Sequence, residues 1–302
     1  MEFNQYDAIL AAGEGKQSYK VYQQHKAFLP IGGQCIISYV IKALLKAESV
    51  RSIYVIGPRT ALLKHIEADG ISINGSKAIH VLEQKRNLYE NIWHTFLQTL
   101  PEPVPESALE QSPYRDRAVL VVPCDSPLIT PHEIDYFVQN CDLDRYDLIT
   151  GLTPESSLMP FYPGMGKPGV KMAYLHMKEN RYRISNLHLA KPIRILNRHY
   201  IQRMYHYRYQ RNLKNVILFG LNLIGKDKKN RYTYYIGLLL GLLFSWMNAK
   251  PLVRFFRSWV PKKGLEECIS NIMNTRFVGL ETPLPGATLD VDNARDYEVI
   301  KL

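Results

Sequence analysis

Short apolar runs alternate with helix-like repeats along the first half of the chain. Continuous apolar runs of strand length lie at 8–12, 52–57, 78–82 and 118–122. Between them, apolar residues recur every three or four positions at 35–47, 60–68 and 88–100, which predicts helices. Strands that are apolar throughout are buried on both faces, so the pattern predicts a mainly parallel sheet covered by helices. Ligands of such sheets bind at the carboxyl ends of the strands.

The first predicted strand runs into a glycine turn. Its sequence is Leu10-Ala11-Ala12-Gly13-Glu14-Gly15-Lys16, and Lys26 follows ten residues later, just before Leu29-Pro30. Two glycines after a buried strand let backbone N–H groups approach a phosphate, and the lysines can neutralise it. A plain turn between strand and helix is the alternative. The third glycine of a dinucleotide fingerprint and the G-K-[ST] of a P-loop are both absent.

The fourth predicted strand leads directly to a carboxylate. Asp125 stands between Pro123 and Pro127, at the end of an apolar run, where it is well placed to hold a metal. Helix capping is the competing role, but Thr130 fits the N-cap of the helix beginning at 131 better. Near the far end of the sequence, Asp290 and Asp292 are separated by one residue. A capping role before a short helix is the alternative for this pair.

These three segments, in this order, resemble the signature motifs of nucleotidyltransferases with a molybdenum-cofactor-guanylyltransferase-like or sugar-phosphate nucleotidyltransferase domain. The pattern departs at Gln17, where the family usually has Arg, and at Asn293-Ala294, where it has Thr-Pro. The resemblance implies a Rossmann-like three-layer α/β/α fold of the nucleotide-diphospho-sugar transferase type, with a mainly parallel mixed sheet. It covers 1–150 and 276–302.

The resemblance also implies roles for particular residues. Lys26 and Lys16 are the expected catalytic cations, and Mg²⁺ is the expected cofactor, held by Asp125 and Asp292 with Asp290 in reserve. Gln84 and Asn87 lie where the family often reads the base, although a helix face explains the asparagine equally well. The expected nucleotide-binding residues are Leu10, Ala11, Ala12, Gly13, Gly15, Lys16, Lys26, Gln84 and Asn87.

The middle of the chain has a different composition. Between 161 and 264 there are 21 Lys and Arg against two acidic residues, within a chain of net charge +10, which implies an anionic partner. A strand is predicted over 170–177, and the segment after it resembles the acceptor-side strand of sugar-phosphate nucleotidyltransferases. Lys171, Arg183 and Asn186 are the candidate acceptor-binding residues, with a solvated basic strand as the alternative.

We interpret the chain as a single domain, 1–302, that contains a basic and partly apolar helical insert at 198–275. The apolar run at 234–247 has no charge but is shorter than a membrane span. It indicates either a buried helix hairpin or a helix pair lying on an anionic membrane, with 226–263 as the contact. Four widely spaced cysteines and no visible signal peptide favour a cytoplasmic protein, with a peripheral position on the inner face of a membrane left open.

The function predicted from these observations is Mg²⁺-dependent transfer of an NMP from an NTP to a phosphorylated acceptor, with release of pyrophosphate. The acceptor would be a sugar, polyol or lipid-precursor phosphate. Two alternatives stay open: a nucleotide-sugar glycosyltransferase, and a catalytically degenerate, membrane-docked binding protein. No nucleic-acid partner is expected, because no RNA-binding motif accompanies the basic residues.

Overall fold

The computed structural model describes residues 4–14, 20–164, 168–170, 172–201 and 232–301. A mixed sheet runs through the centre in the order β12-β9-β11-β8-β1-β6-β7, with β10 added to β11. Its strands are β1 (Tyr6–Ala11), β6 (Val50–Gly57), β7 (Ile79–Glu83), β8 (Val119–Pro123), β9 (Leu148–Pro154), β10 (Leu175–His176), β11 (Arg181–Ala190) and β12 (Phe277–Glu281). Two small hairpins pair β2 (Lys20–Val21) with β3 (Gln24–His25) and β4 (Pro30–Ile31) with β5 (Gln34–Cys35).

The described helices flank the sheet. They are α1 (Ile36–Lys46), α2 (Arg59–Ala68), α3 (Leu88–Gln98), α4 (Pro131–Gln139), α5 (Glu155–Leu158), α6 (Tyr232–Trp246), α7 (Lys250–Arg257), α8 (Lys262–Met273) and α9 (Ala294–Ile300). The strand and helix pattern predicted for the first 140 residues is confirmed, as is the Rossmann-like α/β class.

Strand β1 is buried on both faces, as a continuous apolar run requires. Ala8 and Leu10 belong to the apolar cluster that contains α1 residues, whereas Ile9 belongs to the cluster around Phe96 of α3. On either side, Leu10 lies opposite Val55 of β6 and Val122 of β8, both in parallel register. The carboxyl ends of these three strands therefore meet at one edge of the sheet.

Strand β11 runs against this direction, since it pairs antiparallel with both β8 and β9. Its first residues, from Arg181, consequently lie at the same edge as the last residues of β8 and β9. This reversal brings residues from the middle of the chain to the edge where the glycine turn lies.

Two predictions for the middle of the chain need comment. The strand predicted over 170–177 is wrong in length, because among the described residues of this range only Leu175–His176 forms a strand. Val170, at the start of the predicted range, instead donates its N–H to the carbonyl of Phe161 at 3.0 Å. The helical insert predicted over 198–275 lies outside the described residues from 202 to 231, whereas most of its apolar run at 234–247 lies in α6. The division into one domain with an insert stays a prediction.

Candidate active site

The glycine turn leaves β1 at the carboxyl edge of the sheet. Leu10 and Ala12 bury their side chains completely, so only the backbone of this segment can touch a ligand. At Gly13 a methyl group would collide with the buried amide of Asn91, which explains the absence of a side chain there. Gly15 and Lys16 lie outside the described residues.

Gln84 holds the turn from the end of β7, with β6 lying between β7 and β1. Its Oε1 accepts a hydrogen bond from Glu14 N–H at 2.6 Å, and its Nε2 donates to the Glu14 carbonyl at 3.1 Å. Asn87 has a different position, as the N-cap of α3, where its Oδ1 accepts from Glu90 N–H at 2.9 Å. Gln84 thus contacts the predicted phosphate cradle, whereas the Asn87 amide is engaged by the helix.

Lys26 lies near the glycine turn and is the first residue of a 3-10 helix (Lys26–Phe28). His25 is the N-cap of this helix, since its Nδ1 accepts from Ala27 N–H at 3.2 Å. Lys26 Nζ pairs with a carboxylate oxygen of Asp125 and lies 3.4 Å from Oδ1 of Asp292. The side chain of Lys26 is only 16% exposed, so this ammonium is held against the carboxylates within the protein.

Three carboxylates converge at this point. One oxygen from each of Asp125, Asp290 and Asp292 can be chosen so that all three lie within 4.8 Å of one another. The segment carrying the last two is fixed beside β8, because Val291 N–H donates to the Asp125 carbonyl at 2.9 Å. Both side chains of this segment therefore belong to the cluster, and the expectation that Asp292 is the metal ligand, with Asp290 in reserve, stays a prediction.

In the described part of the chain, two cations face the three carboxylates. Arg183 of β11 places Nη2 2.5 Å from Oδ1 of Asp290, and Lys26 faces Asp125 and Asp292. Burial by itself would lower the pKa of Lys26, but the two carboxylates outweigh it and hold the pKa well above its ordinary value. Burial raises the pKa of Asp290 to about 6, and the neighbouring Asp125 and Asp292 add to this despite Arg183. The cluster therefore carries more negative charge than its own cations balance.

Two of the three candidate acceptor residues, Arg183 and Asn186, lie on β11. Arg183 is engaged by Asp290, so it is a site residue, but not a free cation in this arrangement. Asn186 adopts a left-handed backbone conformation with φ of 60°, and its Nδ2 lies 3.5 Å from the carbonyl of Ala287. The third candidate, Lys171, lies outside the described residues.

Glu133 braces the site from α4, a role that the sequence did not indicate. Its Oε1 accepts from Ala287 N–H at 3.0 Å, three residues before Asp290. Burial raises the pKa of Glu133 to about 7, although backbone N–H groups of Ala287, Thr130 and Gly286 lower it in part. The Thr130-x-x-Glu133 spacing was a capping-box signal, but only the fold shows that the carboxyl reaches 286–287.

His25 also lies next to the glycine turn, since its Nε2 is 3.5 Å from the Gly13 carbonyl. Nothing in the sequence indicated this position.

Comparison with known families places this geometry in context. A family model described as the MobA-like NTP transferase domain matches residues 8–216, more than half of the chain. The chain belongs to the MobA-like NTP transferase family. It is accordingly a nucleotidyltransferase, as its motifs predicted, and its substrate is a nucleoside triphosphate. A search of curated proteins gave no match.

Solved structures are similar to this MobA-like protein to different degrees. A structure titled a hypothetical transferase from Thermus thermophilus is 21% identical, with a TM-score of 0.62, and the match covers 97% of this chain and 99% of that one. A CMP:2-keto-3-deoxy-manno-octonic acid synthetase complexed with CTP has 13% identity and a TM-score of 0.41, with 63% and 75% coverage. A 4-diphosphocytidyl-2C-methyl-D-erythritol synthase from Anaerococcus prevotii has 9% identity and a TM-score of 0.40, with 66% and 76% coverage.

Proposed function

We propose that this MobA-like nucleotidyltransferase transfers an NMP from an NTP to a phosphorylated acceptor. An acceptor phosphate oxygen forms a bond to the α-phosphorus in line with the leaving group, and the bond between that phosphorus and the bridging oxygen breaks. Pyrophosphate leaves with the electron pair. The observation that carries the proposal is the convergence of Lys26 and three carboxylates beside the glycine turn.

The residues of the site supply positioning and charge rather than covalent chemistry. Backbone N–H groups around Gly13 face the triphosphate, and Gln84 keeps the turn in place. Lys26 neutralises charge that develops on the α-phosphate and pyrophosphate. Arg183 and Asn186 face the acceptor. A general base is not required, because a phosphate acceptor already presents an anionic oxygen. Gly15, Lys16 and Lys171 remain predicted contributors.

The carboxylate cluster fits a Mg²⁺ ion. Its donors are oxygens, which hard divalent cations prefer, and among the described residues its three carboxylates pair with two cations, Lys26 and Arg183. Asp125, Asp290 and Asp292 would hold the ion. When bound, Mg²⁺ would offset phosphate charge between nucleotide and acceptor. The nucleoside triphosphate would bring further anionic oxygens to the same place.

The setting of the reaction is also part of the proposal. We place the enzyme in the cytoplasm, with residues 226–263 against an anionic membrane surface, and assign it no nucleic-acid partner. The basic excess between 161 and 264 supports an anionic surface as partner. Among the described helices, none combines the length and apolar character needed to cross a membrane.

A thermal-shift screen of ATP, CTP, GTP and UTP, each with and without Mg²⁺, tests the proposal. A ligand at a hundred times its Kd should stabilise the native state by about 2.7 kcal/mol. We expect one NTP to raise the melting temperature in a Mg²⁺-dependent way and to name the base. If none of the four shifts the folded protein, the proposed transfer is wrong and the degenerate, membrane-docked alternative gains support.

A further inference from the structure

Helices α6 and α7, together with the residues that follow them up to 263, form a surface unlike the rest of the described protein. We name this surface the apolar hairpin. Helix α6 has no charged residue along its 15 positions, and α7 buries none of its eight. Half of the ten large apolar side chains exposed in the described part of the chain lie here. They are Ile236, Leu242, Met247, Leu252 and Phe255, with exposed fractions from 42% to 61%.

The charge of the apolar hairpin has one sign. From 232 to 263 the sequence has five Lys and Arg residues and no Asp or Glu. Lys250, Arg254 and Lys263 are exposed. A surface with exposed leucine, isoleucine and phenylalanine beside lysine and arginine matches an interfacial helix pair on anionic lipid, where the apolar side chains enter the acyl boundary and the cations meet headgroups.

The apolar hairpin adjoins the acceptor side of the site. Arg257 Nε donates to the Met177 carbonyl at 2.9 Å, and Lys178 N–H donates to the Val260 carbonyl at 2.8 Å. These contacts fix the hairpin to β10 and its turn, and His176 of β10 pairs with Arg181 of β11. Arg183, the partner of Asp290, follows two strand residues later, about 7 Å along β11.

Polar side chains lie near the start of β11, on the side of the hairpin. Tyr162 donates its hydroxyl to Glu155 at 2.9 Å and lies 2.6 Å from the hydroxyl of Tyr174. Arg181 pairs with the same Glu155, yet 43% of its side chain is exposed. A headgroup arriving from a lipid surface would meet hydroxyls and a guanidinium before it reached Arg183.

We infer that the apolar hairpin docks on an anionic membrane and that the acceptor of the proposed transfer is a phosphomonoester carried by a lipid. The inference rests on the proposed function for the reaction but not for the docking. It follows from position, because the docked surface and the acceptor side lie at the same edge of the sheet. An acceptor anchored in the bilayer would enter along that edge without leaving the membrane.

Docking is tested by flotation of the full-length protein with phosphatidylcholine vesicles, with and without phosphatidylglycerol. We expect binding only to the anionic vesicles, weakened by salt. Two double variants, Leu252→Ser with Phe255→Ser and Lys250→Glu with Arg254→Glu, should each weaken binding about tenfold or more. Their targets are exposed, so the variants should fold. Ile73→Ser and Lys64→Glu, on exposed positions elsewhere, are the matched controls and should bind normally.

Orientation is tested with brominated lipid. The Trp93→Phe variant retains only the two tryptophans of the hairpin region, Trp246 and Trp259, so quenching of its emission by vesicles reports contact there. Absence of anionic vesicle binding, or equal binding by both double variants and the controls, overturns the docking.

The acceptor is tested with α-³²P-labelled NTP and two phosphomonoesters, phosphatidic acid in vesicles and glycerol 3-phosphate in solution. We expect label in the organic phase with phosphatidic acid, and loss of most of it in the two hairpin variants. Label confined to the aqueous product, or no lipid label from an enzyme that shows the NTP shift, overturns the lipid acceptor. Absence of any NTP shift refutes the proposed function instead, and leaves the flotation result as a separate finding.

Discussion

Carboxylates that pair with cations lie at both ends of the central strands, with opposite charge balance among the described residues. At the amino end of β1, Asp7 is almost fully buried and receives Arg51 at 2.6 Å and Arg117 at 2.8 Å, so two guanidiniums face one carboxylate. At the carboxyl end, Asp125, Asp290 and Asp292 share Lys26 and Arg183.

The difference is the one expected between a structural ion pair and a binding site. A buried carboxylate with a surplus of cations has no need of a further ligand and fixes the chain locally. A cluster whose carboxylates outnumber the described cations favours a further cation; burial is the main cause of the raised pKa of Asp290, and the neighbouring Asp125 and Asp292 raise it further. Charge balance, more than burial, marks the functional edge of this sheet.

The largest expected effect comes from breaking the carboxyl-end cluster. Asp125→Ala and Lys26→Ala should each lower turnover by about a thousandfold or more, because each removes charge stabilisation at the reacting phosphates. Pyrophosphate release measures turnover, and far-ultraviolet circular dichroism checks folding. Asp142→Ala, in the exposed Asp142-Leu143-Asp144 segment, is the matched control. Near-normal rates in either site variant would show that the residue concerned is not part of the catalytic site.

Breaking the amino-end pair should act on stability instead. Asp7→Ala leaves Arg51 and Arg117 without their shared partner and should lower the free energy of unfolding by roughly 3–5 kcal/mol. Urea unfolding measures the loss. Turnover per folded molecule should stay close to that of the unaltered protein. A large drop in turnover without a loss of stability would show that the two ends of the sheet are not functionally distinct.

Glu133 is a further buried carboxyl, but its partners are backbone N–H groups rather than cations. Because its pKa is about 7 in the native state against an ordinary 4.5, the native protein binds a proton that the unfolded chain releases. The free energy of unfolding should therefore fall as pH rises from about 4.5 to 7, by up to about 3 kcal/mol. Glu133→Gln should flatten that dependence, measured by urea unfolding across the range. Glu102→Gln, on an exposed loop, should leave it unchanged.

The smallest effect tests a neutral side chain at the same edge. Gln84→Ala removes two hydrogen bonds to Glu14 and should weaken NTP binding by about 1 kcal/mol. If Gln84 only holds the turn, the affinity for all four NTPs should fall by the same factor, measured by titration calorimetry. A loss confined to the preferred NTP would show instead that Gln84 reads the base, as the family resemblance implies.

The first half of the fold could be predicted because its signals are local. Continuous apolar strands and helical spacing locate β1, β6, β7 and β8 and the helices between them, and Asp125 follows from its place at a strand end. Resemblance to known motifs added Lys26 and the Asp290–Asp292 segment. These were predictions of which residues meet, not of how they pair.

Other features could not be predicted because they depend on contacts between distant residues. The pairing of Arg183 with Asp290 needs β11 to run antiparallel between β8 and β9, which no periodicity indicates. The reach of Glu133 to Ala287 needs two segments more than a hundred and fifty positions apart to pack. The strand predicted over 170–177 was too long because Val170 hydrogen-bonds to Phe161 and Tyr174 to Tyr162.

The two sides of the carboxylate cluster are also separated in time. Lys26 and Asp125 leave the ribosome early, while Asp290 and Asp292 are added only after β12 has been translated. Until Val291 reaches the Asp125 carbonyl and Tyr297 reaches the carbonyl of Pro30, the cluster is short of two carboxylates. A nascent chain can therefore complete its central strands well before it can assemble this site, so the enzyme becomes competent only when the late segment docks.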